Sequence, residues 1–165
     1  MPSPFVNLNR MILVGAGWTG TSPGPAVVTP AGTITTPSDI SAFTVGGAEP
    51  GWDVADVDIT NFGSLGYKQL LMGIISGTDI TIDALSDFAA SQLRAIVMTT
   101  LGGPAGRLPV YLDIKPTNAA RGATNASYVA ETRISHWSGV MGNVGDKAAA
   151  SLVLKVNGTF IELTA

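Results

Sequence analysis

Between Asp53 and Leu101 the hydrophobic rhythm of the chain changes three times. In VADVDIT, Ala55, Val57 and Ile59 alternate with Asp56 and Asp58, the period-two pattern of a strand with one apolar face. NFGSLGYKQLLMGIISG follows, with Leu70, Leu71, Met72, Ile74 and Ile75 crowded together beside Tyr67. No single period organises that stretch, so it reads as an apolar loop whose side chains need a surface outside their own domain. TDITIDAL then restores the alternation, with Ile80, Ile82 and Ala84 on one face and Asp79, Thr81 and Asp83 on the other. Finally Ala89, Leu93, Ile96, Val97, Thr100 and Leu101 recur at helical spacing. Ser86 is placed to cap that helix, Phe88 joins its apolar stripe, Asp87 suits its positive end, and Gly102, Gly103 and Pro104 stop it.

Four further strands are expected after the helix. PVYLDIK alternates Val110, Leu112 and Ile114 with Tyr111, Asp113 and Lys115; SYVAETRISHW alternates Tyr128, Ala130, Thr132 and Ile134 with Val129, Glu131, Arg133 and Ser135. ASLVLKV turns through Asn157-Gly158 into TFIEL. Before the helix, MILVG reads as a first strand and residues 1–10 as an arm. Residues 18–52 form a long Gly-, Pro- and Thr-rich excursion, with β-prone patches near 33–36 and 43–45. The expected class is mainly β (α+β), a single domain over 1–165 built as a β-sandwich or small barrel with one flanking α-helix.

Composition sharpens this picture. Only 13% of residues are charged, about half the usual share of about 25%, and no apolar run approaches the roughly 20 residues that span a bilayer. A chain with few charges and no membrane segment has either little exposed surface or a surface covered by partners, and the second is the expectation here. Cysteine is absent and His136 is the only histidine, so disulfides, thiolate metal sites and multi-histidine sites are excluded. The opening MPSPFVNLNR lacks the basic and apolar regions of a secretory signal. Residues 53–87 carry six acids against Lys68, a balance of −5, whereas residues 94–155 carry seven bases against three acids, a balance of +4. Such an asymmetry fits chance on a solvated surface, complementary halves on neighbouring copies, or one acidic face.

Motifs with catalytic or cofactor meaning do not survive their context. GAGWTG at Gly15–Gly20 fits the dinucleotide fingerprint, and Asp39 stands where a ribose-binding acid belongs. The prolines at 23, 25 and 30 prevent the helix that would meet the pyrophosphate. His136 beside Trp137 is expected to be a half-buried edge residue rather than a base. The Asp pairs 56/58 and 79/83 lack the dense ligand spacing and closing Glu of a calcium loop. Neither catalytic residues, metal nor cofactor is expected.

The order VADVDIT, apolar loop, TDITIDAL, SDFAASQLRAIVMTTLGG, PVYLDIKP and YVAETRISHWSGVMGNVGDKAAASLVLKVNG resembles the major tail tube protein of long-tailed, non-contractile (lambda-like, siphovirus) bacteriophages. The resemblance runs from Asp53 to Leu163; residues 18–52 lie outside it. It implies a structural virion protein whose hexameric rings share an inner β-barrel and stack into a tube, the conduit for DNA ejection. It further implies assembly in the host cytoplasm around a tape measure protein, and contacts with tail terminator and tail-tip proteins. DNA would pass without specific binding. Within that picture Asp56, Asp58, Asp79 and Asp83 are expected to face the bore and repel phosphate. Tyr67, Leu70, Leu71, Met72, Ile74 and Ile75 are expected to fasten one subunit or ring to the next. A single-ring tail protein (terminator or distal tail protein) and a carbohydrate-binding β-sandwich stand as alternatives.

Overall fold

The computed structural model describes residues 10–24, 30–60, 68, 70–85, 93–101, 109–141 and 148–164. In chain order the strands are β1 (Met11–Gly15), β2 (Gly17–Trp18), β3 (Ile34–Thr35), β4 (Ser38–Asp39), β5 (Thr44–Gly47), β6 (Trp52–Asp58), β7 (Leu70–Gly77) and β8 (Ile80–Leu85). A helix, α1 (Leu93–Ala95), continues as a π-turn over Ile96–Thr100. β9 (Val110–Lys115), β10 (Ser127–Met141), β11 (Ala149–Val156) and β12 (Ile161–Leu163) follow.

One antiparallel sheet runs in the order β4-β1-β9-β10-β11-β8-β5, with β12 beside the start of β10. Its two outer strands, β4 and β5, are joined by residues 40–43. Six strand spacings in a flat sheet would separate them by about 29 Å, whereas the five steps from Asp39 to Thr44 reach at most about 18 Å. The sheet therefore rolls toward closure. Hydrogen bonds stitch the corner: Ile12 N donates to Ser41 Oγ at 2.7 Å, Ile40 N to the Ile12 carbonyl at 3.0 Å, and Leu85 N to the Phe43 carbonyl at 3.0 Å. Arg10 Nη2 donates to the Gly47 carbonyl at 2.7 Å.

The inner face is the core. Ile12, Val14, Ile80, Ile82, Leu112, Leu152 and Leu154 are buried there together with Leu93, Val97 and Leu101 of the helical segment. Those three recur every four residues, so one stripe meets the sheet. The Leu101 amide bonds to the Ile96 carbonyl at 3.0 Å, the wider spacing that makes the last turn π rather than α. Ser86, Asp87, Phe88, Ala89 and the Gly102–Pro104 stop lie outside the described residues.

Two local features depart from the simple alternation. β10 runs on to Met141, and its register slips between Ile134 and His136, paired with Leu154 and Val153. The extra residue, Ser135, reverses which face His136 and Trp137 take. Trp137 consequently packs against the core and His136 is exposed in mid-strand, which corrects the expectation of a half-buried edge histidine.

The excursion over 18–52 supplies β3, β4 and β5 and completes β2, so it is woven into the fold. The GAGWTG glycines serve packing: a side chain at Gly15 would strike Ile34, and Gly20 sits at φ +81°. Trp18 lies against Tyr111 with ring centroids 5.7 Å apart.

Candidate assembly surface

Among the described residues, β6 and β7 pair only with each other. Their ribbon prolongs the β5–β8 pair, because the chain passes from β5 through residues 48–51 into β6 and from β7 through 78–79 into β8. At the junction Gly47 and Ala48 take positive φ, +76° and +57°. A side chain at Gly47 would collide with the Thr81 carbonyl, so glycine is required where the ribbon changes direction. The result is one long hairpin, its near half inside the sheet and its far half an arm.

This overturns one expectation. Leu70, Leu71, Met72, Ile74 and Ile75 belong to strand β7 rather than to a loop, in register with β6: Asp58 opposite Leu70, Val57 opposite Leu71, Asp56 opposite Met72 and Val54 opposite Ile75. β-Branched and aliphatic residues suit a pleated surface. The even period is hidden because β7 spends three residues from Met72 to Ile75 where β6 spends two from Asp56 to Val54, a bulge that breaks the alternation. Tyr67 lies outside the described residues.

The arm is exposed on both faces. All of β6 is exposed, and Ile74 at 80%, Leu71 at 56% and Leu70 and Ile75 at 51% are open. Val54, Val57 and Ile59 join them. Cross-strand partners share a face. One face thus carries Asp56, Asp58, Leu70, Val54 and Ile75, and the other Val57 and Leu71. Both faces mix acids with aliphatics, because Asp53 shares the second face with Val57.

The base of the arm is fixed. Trp52 Nε1 donates to the Phe160 carbonyl at 3.1 Å, its ring meets Tyr128 edge-on at 6.3 Å, and Gly77 N donates to the Gly158 carbonyl at 2.7 Å. At Gly77 an added Cβ would lie 2.6 Å from Val156 Cγ1. Sequence reasoning missed this anchor; its signal was a tryptophan and a glycine bracketing the apolar stretch.

The four aspartates do not form one cluster. Asp56 and Asp58 ride on the arm. Asp83 lies on the outward face of β8, opposite Ser151, and Asp79 just precedes that strand. One step beyond the pair Ile80–Leu154, Asp79 comes level with Lys155, which is itself paired with Arg133. The outward face of β8, β11 and β10 therefore sets three acids, Asp79, Asp83 and Glu131, against the two bases Lys155 and Arg133. Asp58 is bound by the Thr60 hydroxyl and by the Thr60 amide at 2.9 Å, which hold its carboxyl below the ordinary value of 3.8. A depressed acid favours its bound form above the unfolded value and loses that preference as pH falls through the folded one. The Asp58–Thr60 hydrogen bonds are accordingly strongest with the carboxyl ionised and weaken as it is protonated. In Thr60→Ala, the Asp58 carboxyl titration followed by carbon-13 NMR moves upward toward 3.8; an unmoved midpoint refutes the Thr60 contribution.

On the other side of the fold, a groove of about 490 Å³ is lined by Leu13, Thr33, Ile34, Pro37, Asp113, Lys115 and Arg121. Asp113, 5% exposed, accepts a hydrogen bond from Ser127 Oγ and an ion pair from Arg121 Nη2 at 3.5 Å. Lys115 Nζ donates to the Ala119 carbonyl at 3.2 Å. Asn125 organises the intervening loop by accepting from the Thr117 amide at 3.1 Å and donating to the Ala119 carbonyl at 2.8 Å. Among the described residues no cluster of three or more His, Asp or Glu is placed to hold a metal.

No protein family matches the sequence, and no curated protein matches it. Solved structures do match. A chain of the anti-feeding prophage baseplate, 6-fold symmetrised, superposes with a TM-score of 0.64 at 9% identity, over 99% of this chain and 98% of that one. A chain from the tail of an empty GTA particle, refined helically with C6 symmetry, gives 0.57 at 14% identity, over 93% and 96%. A chain of the SPP1 tail tube gives 0.56 at 11% identity, over 98% and 80%. At such identities the likeness is one of fold, and the protein has the mainly-β fold of these tail components.

Proposed function

We propose that this protein is a structural tail tube subunit, forming six-membered rings that stack into the conduit through which DNA leaves a phage-like particle. The observation that carries this reading is the free β6–β7 arm: a rigidly anchored ribbon with aliphatic side chains open on both faces, in a fold shared with components of six-fold tails. A monomer would leave its strand edges and aliphatics in water, an invitation to aggregation. Assembly covers them. The proposed partners are further copies of the chain, a tape measure protein in the bore during assembly, and terminator and tip proteins at the two ends, with assembly in the host cytoplasm and residence in the virion tail.

The bore assignment rests on the outward face of β8. There Asp79, Asp83 and Glu131 outweigh Lys155 and Arg133 by one charge, and a face with no positive excess gives phosphate no foothold. Asp79→Lys with Asp83→Lys turns that balance from −1 to +3 and produces tubes that retain duplex DNA at low salt. Variant tubes that release DNA as readily as the parent refute the assignment.

Negative-stain microscopy of the purified protein tests the main reading: stacked tubes support it and a persistent monomer overturns it. The baseplate match favours a second reading, a ring that does not stack; isolated rings in the same images would establish it instead.

A further inference from the structure

We infer that the groove lined by Leu13, Thr33, Ile34, Pro37, Lys115 and Arg121 receives the β6–β7 arm of a second copy of this chain, with Asp56 and Asp58 meeting Lys115 and Arg121. The inference rests on the tube reading and specifies which surfaces meet within it.

Charge complementarity carries the assignment. The arm bears Asp53, Asp56 and Asp58 within one short strand, and Asp56 and Asp58 share their face with Leu70 and Val54. Its counterpart must therefore be cationic and apolar together. The groove meets both conditions: Leu13, Ile34 and Pro37 supply apolar wall, and Lys115 and Arg121 supply the charge. The cations are also preorganised. Asp113 engages one nitrogen of Arg121 and the Ala119 carbonyl one donor direction of Lys115, while a guanidinium offers five N–H donors and an ammonium three. Donors remain for an incoming carboxylate, and little side-chain freedom is left to lose when it arrives.

Geometry favours a second copy over self-docking. The arm is tied at its base to the β11–β12 corner through Phe160 and Gly158, whereas the groove lies at β1, β3 and β9. A ribbon fixed in this way extends from its own body toward another. Because the arm and the groove are different surfaces, the contact is heterologous and propagates from copy to copy.

The chain has no cysteine, so a pair of introduced thiols reports the contact without background. In the doubly substituted protein Asp58→Cys with Thr33→Cys, treatment of assembled material with a short bis-maleimide yields a ladder of covalent trimers and higher multimers on denaturing gels. Each single variant yields at most dimers. Tubes of ordinary yield with no ladder overturn the contact and leave the tube reading intact; a parent protein that never assembles overturns both. A charge exchange gives an independent arm. Lys115→Glu lowers the sedimentable fraction about tenfold, the order expected for loss of one close interfacial charge pair, and adding Asp58→Lys to the same chain restores it. Failure of that restoration, with both proteins folded by circular dichroism, also overturns the proposal. Lys115 is chosen because reversing Arg121 would strand the buried Asp113 carboxylate and threaten folding.

Discussion

Leu71→Asp and Ile74→Asp each yield a folded, soluble monomer that does not polymerise. Both side chains stand open on the arm, at 56% and 80% exposure, so neither supports the fold of the subunit. Covering a side chain of this size is worth about 1.5–3 kcal/mol when complete. An aspartate in its place withdraws that gain and adds the several kcal/mol needed to desolvate an unpaired carboxylate. In the proposed six-membered ring the penalty would recur at every subunit. Thermal unfolding of the variants stays within about 0.5 kcal/mol of the parent, as for surface positions generally. Sedimentation and microscopy then show no tubes. Tubes of normal length from either variant would remove the arm from the interface.

Gly77→Val has nearly as large an effect by a different route. The arm's base lies so close to β11 that a Cβ would come 2.6 Å from Val156 Cγ1 and 3.4 Å from Phe160 Cδ2. A branched side chain there must displace the corner that also accepts the Trp52 and Gly77 hydrogen bonds. Overpacking of this kind costs about 1–3 kcal/mol, and the displaced corner re-aims the arm. The expected result is a modest fall in melting temperature with a disproportionate loss of assembly. Gly122→Ala is the control, since an added Cβ there meets nothing within 4 Å; it leaves both quantities unchanged. Gly77→Val tubes of parental yield would show that the anchor does not direct the arm.

The two expected effects separate two kinds of residue within the proposed assembly surface. Leu71 and Ile74 offer surface; Gly77, Trp52 and the Gly47–Ala48 kink decide where that surface points. The first kind of residue stands out in a hydrophobicity pattern, because five aliphatic or thioether side chains in six positions are conspicuous. The second kind does not. Gly47 is one of 20 glycines, and nothing local separates the one whose positive φ turns the ribbon from those that merely occupy turns.

The same distinction runs through the rest of the fold. Strands β8, β9 and β11 were legible because each has one face against the core, and a two-residue period records that directly: Ile80, Ile82 and Ala84 are buried while Thr81 and Asp83 are exposed. The helical stripe of Leu93, Val97 and Leu101 was legible for the same reason. β7 was not, because both its faces are open and a bulge interrupts its period, so its apolar residues registered as a loop. Asp113 was read as an outward residue of β9, yet it is buried beneath Arg121 and Ser127. Alternation reports the side of a strand, not what another part of the chain lays over it.

By itself, the sequence determined that this protein is mainly β, that it lacks the residues for thiol or multi-histidine chemistry, and that an acidic stretch and an unusually aliphatic one adjoin near its middle. Those properties are local, set by residue type and by spacing within a few positions. Only the tertiary structure decided that the stretch is an arm, which face holds Asp56 and Asp58, and that Asp79 and Asp83 stand apart from them beside Lys155 and Arg133. Register, bulges and the joining of distant segments such as Trp52 with Phe160 and Arg121 with Asp113 arise from contacts between residues far apart in the chain, and a linear pattern carries no record of them.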